Sequence, residues 1–272
     1  MPFTPAHSVA VVPLYFTFRK HLVLSALIIG SMFPDFEYIL RLAATSRISH
    51  TFYGLFSFCL PVGLLTLWLF HSIVKRPALL FLPDSLRIRL ERHALHFPFL
   101  PLRRFLEIAV SIVLGAFTHI VWDSFTHKYG WVAERLPLLQ MTALTVAGHD
   151  LQVYKILRHG STLVGLSLLA YWTWRWFMNE PVQAVQVKAQ ITNCVKYTAL
   201  AALLFLTCVI GLSIGFWSTY QATGFLAMKV FIVRSALGGM AAFSACVLSM
   251  SIVFRVAGSR LTNRSNRQTI RV

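Results

Sequence analysis

Five stretches of the chain are apolar for long enough to cross a hydrocarbon core of about 30 Å. They are residues 52–74, 105–122, 161–178, 197–217 and 230–254. Two shorter apolar arms precede them, 5–18 and 22–33, and Arg19-Lys20-His21 separates the arms. Each arm is only about 20 Å long if helical, short for an upright crossing. The pattern predicts a helical hairpin whose basic turn lies at one membrane face and whose open end returns His7 and Asp35 to the other. Two tilted spans give the same sidedness.

Composition agrees with this reading. Hydrophobic residues make up 57% of the chain, charged residues only 12%, and mean hydropathy is +0.66, which excludes an ordinary soluble globular domain. The expected fold class is all-α: a polytopic integral membrane protein with an N-terminal short helical hairpin plus about five transmembrane helices. The N-terminus has no basic leader region, and its first apolar stretch contains His7 and Pro13, so it does not read as a signal peptide. Cys59, Cys194, Cys208 and Cys246 form no paired motif and read as packing residues.

The net charge of +16 changes the picture through its distribution. With the loops assigned alternately to two sides, seventeen lysines and arginines fall on one side and seven on the other, Arg234 remaining inside a span. That bias marks the first side as cytoplasmic and places the C-terminus there. Orientation therefore accounts for the basicity, and nucleic acid is not an expected partner. The loop 75–104 is basic and rich in Leu and Phe. Asp84-Ser85 is placed to cap a short cationic helix with Arg87, Arg89 and Arg92 on the anionic leaflet. Residues 1–178 are expected to form a membrane-embedded metal-site domain, 179–257 a C-terminal helix pair acting as scaffold, and 258–272 a basic disordered tail. The segment 128–160 stays on the opposite side, positioned to fold over the site as a lid.

Ionisable side chains are costly near lipid, and those retained there are functional candidates. His7, Asp35, Glu37, His50, His119, Asp123 and His127 all fall at apolar segment ends that this topology brings to the non-cytoplasmic face. His119, Asp123 and His127 are spaced four apart, one stripe of a continuing helix. Imidazole and carboxylate one turn apart can share a Zn, Mn or Fe ion. The alternative is a hydrogen-bonded pair that stabilises helix packing. Asp35 and Glu37 diverge by about 200° on a helix, which makes Asp35 the better ligand and Glu37 a supporting group or base. The alternative for Asp35 is a helix cap, and for His7 and His50 an interfacial histidine.

At these residues the chain resembles a known family. Met1-Pro2-Phe3-Thr4-Pro5-Ala6-His7, the run from Ile29 to Tyr38 around Pro34-Asp35-Phe36-Glu37, Ser49-His50-Thr51 and His159-Gly160-Ser161 resemble the bacterial membrane family called domain of unknown function 4184. The likeness extends at least through Met178. More distantly, the chain is similar to predicted membrane-bound metal-dependent hydrolases of the LexA-regulated inner-membrane type. The matching positions are His7, Pro34-Asp35, Arg47 with His50, and Gly115, His119, Asp123 and Thr126. Glu37 replaces that group's second Asp, and Ser46 stands where a His precedes the Arg.

Together these readings set an expectation of a metal-dependent hydrolase at the extracytoplasmic face of the bacterial inner membrane. Its substrate would be a lipid or lipid-linked phosphoester. The metal ligands would be His7, Asp35, His50, His119 and Asp123, with Glu37 or His127 as base. Arg41, Arg47 and His159 are candidates for substrate contact. A transporter using the same groups as a relay, or a non-catalytic membrane scaffold, is the alternative.

Overall fold

The computed structural model describes residues 4–91, 93, 97–146, 148–181, 191–221 and 223–269, the side chains of 146, 149 and 257–269 excepted. Met1-Pro2-Phe3 of the opening motif, Arg92, Lys188 and the end of the tail lie outside the described residues.

The apolar pattern folds as helices. In chain order they are α1 (Ser8–Phe18), α2 (Leu24–Met32), α3 (Phe36–Arg41), α4 (Phe52–Phe81), α5 (Asp84–Glu91) and α6 (Leu102–Thr126). They continue as α7 (Trp131–Arg135), α8 (Pro137–Gln140), α9 (Val153–Asn179), α10 (Asn193–Thr219) and α11 (Gly224–Thr269). Single turns of 3-10 helix at Thr4–His7 and Phe33–Asp35 precede α1 and follow α2. α1 and α2 form the predicted hairpin around Arg19-Lys20-His21.

Four stretches are long and apolar enough to cross a membrane: Phe52–Phe81, Leu102–Arg135, Asn193–Thr219 and Gly224–Val256. Their faces carry exposed Phe56, Leu65, Val110, Phe117, Phe205, Leu212, Ile232 and Phe243, a surface suited to lipid and not to water. The fifth expected span, 161–178, lies within α9. Its 27 residues give it the length to cross, but Arg175 and its many Trp, Tyr, Ser and Thr residues lower its hydropathy.

The all-α expectation holds, with one short β hairpin beside the helices. Thr142–Val146 and His149–Gln152 pair as an antiparallel β1–β2 hairpin. Gly148, at φ 77, supplies the left-handed turn residue that such a tight connection requires. The backbone of α11 is helical to Thr269, whereas the Ser/Asn/Arg-rich composition predicted a disordered tail from Gly258. Extending an existing helix adds a hydrogen bond per residue with no nucleation cost.

The chain divides into two units. The first comprises residues 1–37, 46–67 and 98–179, and the second 38–45, 68–97 and 180–272. The second unit therefore takes 68–97 together with the C-terminal helix pair. Within it α10 and α11 approach closely at small residues: a Cβ on Gly211 would stand 2.7 Å from the Ser235 carbonyl oxygen.

Within the first unit α2 packs directly on α6. A Cβ on Gly30 would fall 2.1 Å from the carbonyl oxygen of Ile112, and one on Gly115 would fall 2.3 Å from that of Leu27. Only the two glycines allow backbones this near. Buried Val11, Leu22 and Leu27 hold the hairpin together, and Phe33, Leu55, Cys59 and Ala116 fill the space between α2, α4 and α6. A third cluster of Ala133, Leu139 and Tyr154 seats α7, α8 and the start of α9 on Phe125 of α6. This packing brings the first turn of the chain, the end of α2, the loop before α4 and the end of α6 to one place.

Candidate metal centre

Asp35, His50, His119 and Asp123 each offer one ligand atom, and these four atoms all lie within 4.8 Å of one another. His119 Nε2 is 3.5 Å from Asp35 Oδ1 and 3.3 Å from Asp123 Oδ2. His50 Nε2 is 3.4 Å from Asp35 Oδ1 and 3.8 Å from Asp123 Oδ2. Each of the four arrives from a different part of the chain except His119 and Asp123, which lie one turn apart on α6.

Hydrogen bonds outside the cluster fix how the imidazoles face it. His119 Nδ1 donates to the carbonyl oxygen of Ser31 over 2.7 Å, an acceptor that can only receive a proton. Its Nε2 is then the ring's other nitrogen; it is buried and without a hydrogen-bond partner. Ser49 Oγ donates its single proton to the carbonyl oxygen of Pro34 at 2.7 Å. It must therefore accept from His50 Nδ1, 3.0 Å away, which turns the His50 Nε2 lone pair toward the carboxylates. Two imidazole lone pairs and two carboxylate oxygens thus face a single point. Four acceptors at such separations repel unless a cation lies among them. A nitrogen and carboxylate donor set with second nitrogens anchored to outer partners could hold a metal ion. The alternative cation is a proton on one of the rings.

The remaining predicted residues fall around this core. His7 is buried, stacks on His119 with ring centroids 3.7 Å apart, and brings Nε2 to 3.5 Å from Asp123 Oδ1. It contacts the carboxylate edge opposite His50 and His119. The structure ends α6 at Thr126, with His127 in an extended conformation, so the expected helical stripe stops one residue early. The ring nevertheless stays close. His127 Nδ1 donates to the Asp123 carbonyl oxygen at 3.2 Å and lies 3.6 Å from its Oδ1.

Asp35 and Glu37 diverge as a helical backbone requires. Asp35 turns inward, its Oδ2 accepting from Thr4 Oγ1 at 2.6 Å while Oδ1 faces the two histidines. Glu37 turns to the loop before α4. Its carboxylate accepts the backbone N–H groups of Arg47, Ile48 and Ser49 at 3.0, 3.1 and 2.9 Å. Burial works to raise its pKa, but the N–H groups of Ser49, Arg47 and Ile48 outweigh burial and hold it down at about 2. The chain thus clamps the loop that carries His50 with a carboxylate that stays charged at neutral pH. Arg47 and His159 have exposed side chains, and Arg41, also exposed, belongs to the second unit.

Thr4, Ser31 and Ser49 were not candidates by sequence, yet each holds a site residue in place. The only signal for Ser49 was its adjacency to His50, and for Thr4 its place in the opening motif.

No curated protein and no solved structure matches the chain. The arrangement draws on Thr4, His7, Asp35, the 47–50 loop and the end of α6, all within the stretch from residue 1 to 252 that one family model matches. On that match the chain belongs to the family described as Domain of unknown function (DUF4184).

Proposed function

We propose that this protein is a membrane-embedded metal-dependent hydrolase acting on a lipid or lipid-linked phosphoester. The observation that carries the reading is the convergence of Asp35, His50, His119 and Asp123 ligand atoms within 4.8 Å, with a buried His119 Nε2 that has no hydrogen-bond partner. The residues that would hold the ion are Asp35, His50, His119 and Asp123, with His7 bracing Asp123. A bound Zn, Mn or Fe ion would supply Lewis-acid polarisation of the scissile phosphoryl group and a water of lowered pKa.

The chain's own residues divide the remaining work. Thr4 holds Asp35 Oδ2 so that Oδ1 faces inward, and Ser31 and Ser49 fix the tautomers of His119 and His50. His127, tied through Nδ1 to the Asp123 carbonyl, keeps Nε2 as its basic nitrogen. Its side chain is 35% exposed, open enough to take a proton from an attacking water and return it to the leaving group. Glu37 is occupied by three backbone N–H groups, which favours His127 as the base. The basic-residue bias supports an orientation with this site on the extracytoplasmic face of the inner membrane and the C-terminus in the cytoplasm.

Metal analysis of the detergent-purified protein tests the reading. Wild type is expected to retain a stoichiometric transition metal that His119→Ala loses, and to release phosphate or alcohol from phospholipid or polyprenyl phosphate substrates. A wild type that binds neither Zn nor Mn after loading would overturn it and bring forward a proton relay through the same groups.

A further inference from the structure

Arg158, on the second turn of α9, is a cation with no anion among the described residues. Its Nε is buried and has no hydrogen-bond partner, and no carboxylate among the described residues pairs with its guanidinium. A partly buried guanidinium without a counter-ion is costly, and that cost is relieved when an anion arrives.

Its surroundings say where such an anion would sit. Trp122, the residue before Asp123, donates its indole N–H to Ser161 Oγ at 3.3 Å. Ser161 Oγ and Thr162 Oγ1 in turn donate to the Arg158 carbonyl oxygen at 3.2 and 3.0 Å. This chain of hydrogen bonds ties the Arg158 turn to the end of α6 beside the candidate metal centre. The guanidinium is near enough to His127 for its charge to act on that imidazole. The carboxylates of the site are already committed: Asp35 and Asp123 face histidines.

We infer that Arg158 binds the phosphate oxyanion of the ligand, holding it beside His127 and the Asp123 edge of the site. The inference rests on the hydrolase reading for naming a phosphoryl group, and it replaces Arg41 and Arg47 as the substrate-contacting arginines. A planar guanidinium fork matches two oxygens of one phosphate, which a lysine cannot do. The phosphate can belong to a lipid headgroup or to a water-soluble phosphate.

The test uses full-length, delipidated protein in detergent, wild type beside Arg158→Gln and Arg158→Lys. Affinity is measured for inorganic phosphate and for phosphatidate in mixed micelles, with metal content determined on the same samples. Arg158→Gln is expected to keep its metal and to weaken phosphatidate binding about tenfold or more, Arg158→Lys recovering only part of it. A loss confined to phosphatidate identifies a lipid headgroup as the source, and a loss confined to inorganic phosphate identifies a soluble one. Unchanged affinity for both in Arg158→Gln sinks the inference. A second measurement on wild type guards against a misfolded variant: phosphate or phosphatidate should shield Arg158 from phenylglyoxal, read by mass spectrometry. Equal modification with and without them also counts against the inference. Wild type that holds no metal yet binds phosphate through Arg158 would remove the hydrolase reading and leave the anion site standing.

Discussion

His119 donates its Nδ1 proton to the carbonyl oxygen of Ser31 across 2.7 Å, although the two residues are 88 positions apart in the chain. The bond exists because α2 and α6 meet backbone to backbone at Gly30 and Gly115. It decides which nitrogen of His119 faces Asp35 and Asp123, and so whether the cluster can take a cation at all.

Gly115→Ala tests that dependence. A methyl group 2.3 Å from the Leu27 carbonyl oxygen and 2.8 Å from Ser31 N has nowhere to go without parting the helices. Thermal unfolding in detergent is expected to show a loss of about 1–3 kcal/mol, with weakened metal retention as the Ser31–His119 bond lengthens. A variant with wild-type stability and metal content would show that the close approach is not needed.

Ser49→Ala leaves the His50 ring in place but removes its Nδ1 acceptor. Loss of such an outer partner ordinarily costs about 10–100-fold in metal affinity. Competition with a chelator would read this directly, and an unchanged affinity would argue that the His50 tautomer is set by something else.

Asp123 faces four imidazoles: His7 and His127 lie near Oδ1, and His50 and His119 near Oδ2. Asp123→Asn should therefore be more damaging than Asp35→Asn, abolishing metal retention where Asp35→Asn only weakens it. Metal content of the two variants, prepared side by side, decides the ranking.

The Glu37 clamp carries a pH signature. Its folded pKa of about 2 lies below the ordinary value of 4.5 for a glutamate, so its contribution is fully present above 4.5 and is lost as pH falls through 2. Wild type is expected to lose stability between those values, and Glu37→Gln to show a shallower acid dependence from a lower starting stability. The substitution turns one accepting oxygen into a donor facing backbone N–H groups, at about 1–3 kcal/mol. Parallel pH profiles for the two proteins would dismiss the clamp.

His127→Gln is expected to retain metal while lowering any hydrolytic rate by about 100-fold or more. Loss of metal in this variant would instead make His127 a ligand.

What the sequence by itself determined follows from short-range physics. Apolar run lengths specified a membrane-embedded helical chain, and the Arg19-Lys20-His21 interruption specified the hairpin that returns His7 and Asp35 to one end. Helical periodicity placed His119 one turn from Asp123 and set Asp35 and Glu37 on different faces. The Thr142–Val146 and His149–Gln152 hairpin was missed because short β-branched segments in a polar loop carry little periodic signal. Only the tertiary structure decided that Glu37 clamps the Arg47–Ile48–Ser49 backbone, that Ser31 and Ser49 fix two tautomers, and that the Arg158 turn is tied to the end of α6 with no carboxylate partner for its guanidinium among the described residues. Each of these depends on which atoms meet across long sequence separations. That is settled by how closely Gly30 and Gly115 let two helices approach, and periodicity along a single helix does not record it.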